Sequence, residues 1–479
     1  MSSLSVSPKP GVHASIWDMT VALLKAVMLV SPRLVNHQKR VALTAGRLAR
    51  SLGDNEAGVS HVVLAGLLHD IGCLSVEEQH TIQRLDRATN CHAEIGARVL
   101  AILDQFGEIA ELVRAHHAPA PAALCAPVGS TPFRAALLRM ADYIDFAIDP
   151  DIYVLEQAAA VRARVEQRSD LFPARAISAF LELSRADAFW LDVHAPGELD
   201  GARCLIGREA LQEMKIDDLR QMALVFALVI DMRSHFTLTH SFGVAASAAA
   251  LATYRGVSPR TVELIEVASY LHDIGKLAID SAILEKNGAL TATEMSRIKS
   301  HSYHSFTILN AIPGFEQPAR WAAYHHEDMV GGGYPFAVGA AALDQPARIL
   351  AVADKFVALA EDRPYRPGMP QAEVLRVLDD LAAKQKVDPA ELGALKLHYA
   401  EIDTIRRQAQ DQEKTIQRYL LKSEIVDIDI EMTKALASIR WRPENWARRV
   451  HARASRRPSP EVVGAGAGSH AEGAEVLPT

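Results

Sequence analysis

The sequence has little cysteine, no long apolar run and no excess of positive charge. Its four cysteines form no Cys-x-x-Cys pair, so neither a disulfide framework nor a cysteine-based zinc site is expected. No stretch reaches the roughly 18 consecutive apolar residues of a membrane-spanning helix. Lysine and arginine number 51 against 58 for aspartate and glutamate, which argues against a nucleic-acid partner. Because MSSLSVSPKPGVH lacks secretory-signal character, we expect a cytoplasmic protein without a membrane partner.

What remains is an ordinary globular composition with a helical pattern. Hydrophobic residues make up 49% and charged residues 23% of 479 residues, enough for several folded domains. Apolar residues recur at intervals of three and four, as in segment 219–229. Ser258 before Pro259 predicts a helix start, and Thr291 with Glu294 predicts a capping box. Strict two-residue alternation is scarce, so the sequence predicts an all-α fold.

The chain also has 19 histidines, and most of them fall into an internal repeat. In both copies the first histidine precedes a His-Asp pair by the same interval, from 37 to 69 and from 240 to 272. A later histidine precedes a His-His pair by the same interval, from 92 to 116 and from 301 to 325. The first copy contains His37, His69, Asp70, His92, His116, His117 and Asp142, and the second contains His240, His272, Asp273, His301, His325, His326 and Asp354.

Five histidines and two aspartates in each copy suit a divalent metal site rich in nitrogen and oxygen ligands. A single buried histidine is usually just a satisfied core residue, but a core gives no reason to repeat seven such residues in register. Without thiolate ligands, iron or manganese is expected rather than a structural zinc ion. Two ions about 3.5–4 Å apart can activate water and polarise a phosphoryl oxygen, which predicts phosphoester hydrolysis.

Three segments of the second copy, over roughly residues 219–400, resemble the HD-GYP family of cyclic di-GMP phosphodiesterases, a branch of the HD superfamily. They are LHDIGKLAI (271–279), YHHEDMVGGGYP (324–335) and ADKFVALAEDRPYR (353–366). The first copy resembles only the general HD domain. The fold expected from this resemblance is a tandem of HD-type helical domains, the second of the HD-GYP type.

The resemblance implies roles for individual residues of the second copy. Its seven histidines and aspartates would hold two divalent metal ions, with Asp273 as the bridge and as a catalytic residue. Lys276 would be both catalytic and substrate-binding. The other implied substrate-binding residues are Arg363, Arg366, Gly333, Tyr334 and Pro335.

The sequence departs from the family pattern at several places. Val330 stands where an aspartate usually precedes the glycines, so the loop's hydrogen bonds are expected to differ. Phe236 stands where some members have a glutamate that binds a third metal, which is why two metals are expected. Asp231, the nearest upstream carboxylate, is expected to be solvated at a helix end. In the first copy Cys73 replaces the lysine and the Gly-Tyr-Pro element is missing, so this copy is predicted to be a regulatory or structural domain with a candidate second metal site.

These observations divide the chain into six segments. They are a flexible N-terminus (1–14), a degenerate HD domain (15–195), a connector (196–216), an HD-GYP catalytic domain (217–400), a helical extension (401–452) and a disordered tail (453–479). Residues 401–452 are amphipathic and are a candidate homodimer contact.

The predicted activity is hydrolysis of cyclic di-GMP to pGpG or, after a second cleavage, GMP. Two alternatives stay open at this stage. One is a phosphohydrolase that acts on another nucleotide, such as a cyclic GMP-AMP dinucleotide. The other is a receptor or protein-interaction module that binds the dinucleotide without turnover.

Overall fold

The structure is a computed structural model that describes residues 12–73, 91–118, 121–194, 199–231, 239–286, 288–362 and 367–421. Within these ranges the chain is helical, and its extended pairings are two isolated bridges, Ser15 with Glu213 and Val330 with Gly339. The predicted all-α fold is confirmed. The described helices include none that is long and apolar enough to cross a membrane.

The helices of the first half begin where the sequence supplies caps. Ser15 and Asp18 form a capping box before the first helix, and Ser31 caps the second, which has Pro32 at its first position. The helices are α1 (Ile16–Met28), α2 (Pro32–Ser51), α3 (Glu56–Leu68), α4 (Cys91–Leu100), α5 (Gly107–Ala115), α6 (Pro121–Leu124), α7 (Thr131–Phe146), α8 (Val154–Glu166), α9 (Ala174–Leu183), α10 (Asp187–His194) and α11 (Asp200–Arg203), with 3₁₀ segments at Asp104–Phe106 and Arg208–Leu211.

The second half confirms both helix starts predicted from the sequence. Ser258 accepts a hydrogen bond from the backbone N–H of Thr261, and Thr291 forms a capping box with Glu294. The helices are α12 (Ile216–Asp231), α13 (His240–Tyr254), α14 (Pro259–Leu271), α15 (Ser281–Leu284), α16 (Ala292–Leu309), α17 (Glu316–Ala323), α18 (Gln345–Ala360), α19 (Gln371–Ala383), α20 (Pro389–Leu397) and α21 (Tyr399–Leu421), with 3₁₀ segments at Ile274–Ala278 and Tyr324–His326.

The two halves repeat one arrangement of helices. In the first half α2 packs against α3 and α7, and in the second half α13 packs in the same way against α14 and α18. Each His-Asp pair follows the end of the second helix of its trio, and each His-His pair follows a short helix, α5 or α17. The sequence repeat is therefore also a structural repeat.

Among the described residues, helices α1 and α21 make contacts between the two halves. Helix α1 packs against the 3₁₀ segment Ile274–Ala278 and against α16 of the second half. Helix α21 packs along α13, and Arg98 of α4 donates hydrogen bonds to the carbonyls of Tyr419 and Leu420 at its end. The predicted domain boundaries and the homodimer stay predictions. The predicted tail and most of the predicted helical extension, residues 422–479, lie outside the described ranges, as do residues 1–11 of the predicted flexible N-terminus.

Candidate metal centres

Three histidines of the second half are held by backbone carbonyls of their own helices. In each, ring atom Nδ1 donates a hydrogen bond to the carbonyl three residues earlier, which leaves Nε2 directed away from the helix. This is how proteins usually orient a histidine that ligates metal through Nε2. The Nδ1 to oxygen distances are 2.6 Å for His272 to Ser269, 2.6 Å for His301 to Ile298 and 2.5 Å for His325 to Ala322.

The seven predicted ligands of the second half lie together in one cluster, and all of them except the partly exposed His326 are buried. The ligand atoms form two groups, and within each group they lie within 4.8 Å of one another. One group is His240, His272 and Asp273, and the other is His301, His325 and His326. Asp273 stands between the two groups, with Oδ2 at 3.2 Å from Nε2 of His272 and Oδ1 at 3.3 Å from Nε2 of His301. The remaining ligand, Asp354, has Oδ1 at 3.1 Å from Nε2 of His240. This is the arrangement that a bridging carboxylate between two ions requires.

Buried polar atoms without a partner support metal binding here. Nε2 of His272 and Oδ1 of Asp273 are buried and have no hydrogen-bond partner. Leaving such atoms unpaired in a protein interior is costly, by about 1–3 kcal/mol each. Both atoms face the centre of the cluster, so a cation there would satisfy them, and the donor set fits a pair of divalent ions.

The protonation states of four of these residues, His301, His325, His326 and Asp273, also suit metal ligation. Burial lowers the pKa of His301 to about 4 and the pKa values of His325 and His326 well below their usual value, so these rings are neutral at pH 7. Burial would raise the pKa of Asp273, but His272 and Lys276 hold it well below its usual value. Burial would likewise lower the pKa of His240, but the carboxylates of Glu361 and Asp354 raise it to about 10. A metal ion must therefore displace a proton from His240.

The predicted substrate-binding residues are placed in part. Nζ of Lys276 lies 2.5 Å from Oδ2 of Asp273, at the edge of the cluster. The ring of Tyr334 lies 4.7 Å from that of His326, between centroids, and a cis peptide bond joins Tyr334 to Pro335. Arg363 and Arg366 lie outside the described residues, as does Phe236.

Two acidic residues that the sequence reasoning missed shape the Gly-Tyr-Pro loop. Asp328 accepts hydrogen bonds from the backbone N–H groups of Val330 and Gly332, at 3.0 and 2.7 Å. Glu327 accepts from the N–H groups of Phe336 and Val338, at 2.7 and 3.2 Å. The Val330 side chain is 63% exposed, so the loop at this position is held through its backbone. A Cβ on Gly333 would lie 2.4 Å from Cα of Glu327, which explains the glycine there.

The first half builds a similar cluster from its own seven residues. The carboxylate of Asp70 again stands between two groups, with Oδ2 at 3.3 Å from Nε2 of His69 and Oδ1 at 3.8 Å from Nε2 of His92. Both carboxylate oxygens are buried without a hydrogen-bond partner. The other members are His37, His116, His117 and Asp142. The geometry for two groups of ligands is thus present twice, but Lys276 and the Gly-Tyr-Pro loop are found only in the second half.

Asp231 is not solvated, which corrects the expectation from the sequence. The residue is 1% exposed, and its Oδ2 accepts a hydrogen bond from the backbone N–H of Ser241 in the first turn of α13. Burial raises its pKa to about 7. The buried Glu413 of α21 lies beside it, so two carboxyl groups from distant parts of the chain lie together in the interior of the protein. Nothing in the local sequence indicated this pairing.

Replacing Glu413 with glutamine is expected to stabilise the metal-free protein at high pH. Burial, with the charge of Asp231, raises the pKa of Glu413 well above its usual value of 4.5. Because the folded-state pKa is the higher one, wild type loses stability as the pH rises towards that value. Glutamine imitates the protonated acid, so the free energies of unfolding should agree near pH 4, below the unfolded pKa, and the variant should exceed wild type by about 1–2 kcal/mol at pH 8. Urea unfolding at both pH values measures this; a variant less stable than wild type at pH 8 would contradict it.

Comparison with known proteins identifies the family. The HD domain family model matches residues 34–147, and a second HD domain model matches residues 224–390. The two matches together span more than half of the chain. The chain belongs to the HD family. It carries two HD domains in tandem, the second of the HD-GYP type, and is a metal-dependent phosphohydrolase.

Curated relatives and a solved structure agree with this assignment. The HD protein is 28% identical to 3'3'-cGAMP-specific phosphodiesterase 1 of Vibrio cholerae over 72% of its own chain and 82% of the relative's. It is 31% identical to the cyclic di-GMP phosphodiesterase response regulator RpfG of Xanthomonas campestris over 52% of its own chain and 60% of the relative's. A crystal structure of a cyclic GMP-AMP specific phosphodiesterase of V. cholerae superposes with a TM-score of 0.55, covering 81% of this chain and 98% of that one. Because the sequence identity to this structure is 20%, the similarity shows a shared fold and nothing further.

Proposed function

We propose that the second HD domain hydrolyses a cyclic dinucleotide, cyclic di-GMP to linear pGpG, with GMP as the product of any further cleavage. The observation that carries the proposal is the Asp273 carboxylate, with one oxygen toward each group of histidines and one oxygen unpaired. Two divalent ions held there would activate water and polarise a phosphoryl oxygen, and the absence of thiolate ligands favours iron or manganese.

The side chains around the cluster supply charge and position for such a substrate. The buried carboxylates and histidines would hold the metal ions, and Lys276 at the edge of the cluster can neutralise phosphate charge as it develops. Nζ of Lys299 lies 5.4 Å from the ring centre of Tyr334, so a cation and an aromatic face stand together beside His326. Arg363 and Arg366 are proposed as further phosphate contacts, since a guanidinium can bind a phosphodiester through two hydrogen bonds.

A second candidate substrate is 3'3'-cGAMP. The observation that favours it is the V. cholerae relative named for that activity, whose match covers 72% of this chain and therefore extends well beyond the second HD domain. Both dinucleotides contain two phosphodiester bonds and at least one guanine, so the metal cluster itself does not distinguish them. The choice depends on the contacts made to the second base.

The first cluster is proposed to hold divalent metal as well, without hydrolysing the dinucleotide. Both oxygens of Asp70 are unpaired and buried, as expected of a bridging ligand. Cys73 stands at the position of the lysine, however, and the loop of the second domain has no counterpart here. The first domain would therefore serve a structural or regulatory role.

Anaerobically purified protein loaded with Mn(II) or Fe(II) tests the proposed function. We expect cleavage of cyclic di-GMP to pGpG, measured by chromatography of the nucleotides. The kcat/KM values for cyclic di-GMP and 3'3'-cGAMP identify the preferred substrate. A preference above tenfold for 3'3'-cGAMP would replace the first candidate with the second. Tight binding of both dinucleotides without cleavage by the metal-loaded protein would leave a receptor instead of an enzyme.

A further inference from the structure

The buried face of helix α21 reaches the second metal cluster through a chain of hydrogen bonds. Nη1 of Arg406 donates to Oε1 of Gln410 at 2.6 Å, and Nε2 of Gln410 donates to Oε2 of Glu361 at 3.2 Å. Both oxygens of Glu361 lie 3.2 Å from Nδ1 of His240. All four side chains are at most 5% exposed. The C-terminal helix is thus connected to a predicted metal ligand 166 residues before Arg406 in the chain.

His240 differs from its neighbours in how its ring is held. His272, His301 and His325 each donate from Nδ1 to a carbonyl of the preceding helical turn. His240 is the first residue of α13, so no earlier turn of that helix can hold its ring. The carboxylate of Glu361, which follows the last residue of α18, takes this place.

We propose that Glu361 is the positioning residue of His240, and that Gln410 holds Glu361 in place, so that helix α21 forms part of the second metal site. The inference rests on the metal-dependent activity proposed above. An Nδ1–H donated to a carboxylate fixes the ring tautomer that leaves Nε2 free for metal, and it makes the ring a stronger ligand. Gln410 also donates to the carbonyl of Thr239 at 3.2 Å, so one amide fixes both the carboxylate and the start of α13.

The first domain offers an independent parallel. There Nδ1 of His37 lies 2.7 Å from Oδ2 of Asp145, and Nη2 of Arg40 donates to the same oxygen at 3.1 Å. The carboxylate stands three residues after Asp142, whereas Glu361 stands seven after Asp354. The two clusters therefore use the same contact from different sequence positions. This argues that the first histidine of each cluster needs a carboxylate that accepts a hydrogen bond from its Nδ1.

Metal affinity separates positioning from simple stabilisation. The reference is the whole chain carrying Asp70→Asn, which removes the bridging carboxylate of the first cluster so that only the second cluster is titrated. The test variants carry Glu361→Gln, Glu361→Asp or Gln410→Leu in addition to Asp70→Asn. Glu391→Gln is the matched control. Glu391 is a buried carboxylate whose Oε2 accepts a hydrogen bond from Nε of Arg255 at 2.9 Å, and it lies on α20, a helix that carries no predicted metal ligand. Each metal-free protein is titrated with Mn(II) against a chelating dye, and its melting temperature and hydrolysis at saturating Mn(II) are measured.

We expect Glu361→Gln to raise the Mn(II) dissociation constant of the second cluster by about 10- to 100-fold. Glu361→Asp should restore part of this affinity, and Gln410→Leu should show a smaller loss than Glu361→Gln. The Glu391→Gln control should lower the melting temperature without changing Mn(II) affinity. Hydrolysis by Glu361→Gln should return towards the reference rate when Mn(II) is saturating.

An unchanged Mn(II) affinity in Glu361→Gln, or an equal change in the Glu391→Gln control, would overturn the inference. The two proposals fail in different ways. If the reference protein binds Mn(II) and cleaves no cyclic dinucleotide, the proposed function fails while the affinity comparison still decides the role of Glu361. If the reference protein cleaves the dinucleotide and Glu361→Gln keeps its affinity, only the positioning role is lost.

Discussion

Asp273→Asn is expected to abolish hydrolysis of the cyclic dinucleotide, with a fall in kcat/KM of at least about 1,000-fold. Asparagine keeps the shape of the side chain but loses the charge and one of the two oxygens that face the histidine groups. Loss of several kcal/mol of stabilisation of the transition state corresponds to a fall of this size. Chromatographic assay of metal-loaded wild type and variant measures it.

The same change in the first domain provides the matched comparison. Asp70 occupies the corresponding place between two histidine groups, with similar burial. Asp70→Asn should therefore remove metal from the first cluster and reduce hydrolysis far less than Asp273→Asn does. Hydrolysis that survives in Asp273→Asn and disappears in Asp70→Asn would place the reaction in the first domain and contradict the account.

Gly275→Ala is expected to destroy the second cluster through the backbone. A Cβ on Gly275 would lie 1.9 Å from the carbonyl oxygen of His301 and 2.7 Å from the N atom of Ser305. Neither backbone atom can move without displacing α16, which carries a metal ligand. Overpacking of this kind costs about 3 kcal/mol, and we expect a lower melting temperature, loss of bound metal and no measurable hydrolysis.

Two further observations make this glycine a sharp test. The N–H of Gly275 donates to Oγ of Ser305 at 2.9 Å, and the same hydroxyl donates to the carbonyl of His272 at 2.7 Å, so the contact also fixes the His-Asp pair. Gly72 in the first domain has the same close approach, with a Cβ 2.1 Å from the carbonyl oxygen of His92. Gly72→Ala should destabilise the first domain by a similar amount. A Gly275→Ala protein with unchanged melting temperature and metal content would show that the contact is not needed.

The sequence was sufficient to predict the helical fold and the placement of the metal-ligand candidates. Equal intervals between histidines in two copies indicated two similar helical units, and in the structure a corresponding trio of helices packs together in each half. Caps at Ser258 and Thr291 were predictable because an N-cap acts within its own first turn. These are local or repeated patterns, which a single sequence displays directly.

The supporting residues could not be predicted in the same way. Glu361 reaches His240 across 121 residues, and Asp145 reaches His37 across 108, from positions that differ between the two copies. Asp231 looked like a solvated helix end because its partners lie on other helices: Ser241 is in the first turn of α13, and Glu413 is in the distant helix α21. Contacts of this kind arise from tertiary packing and leave no periodic signal in the sequence.

Coupled titration of metal and activity tests the central claim most directly. Protein stripped of metal is titrated with Mn(II), and bound metal and cleavage of cyclic di-GMP and 3'3'-cGAMP are measured on the same samples. The account predicts no cleavage by the stripped protein and a rise in cleavage that follows filling of the second cluster, with Asp273→Asn inactive throughout. Cleavage that is unaffected by stripping, or a filled second cluster that cleaves neither dinucleotide, would contradict it.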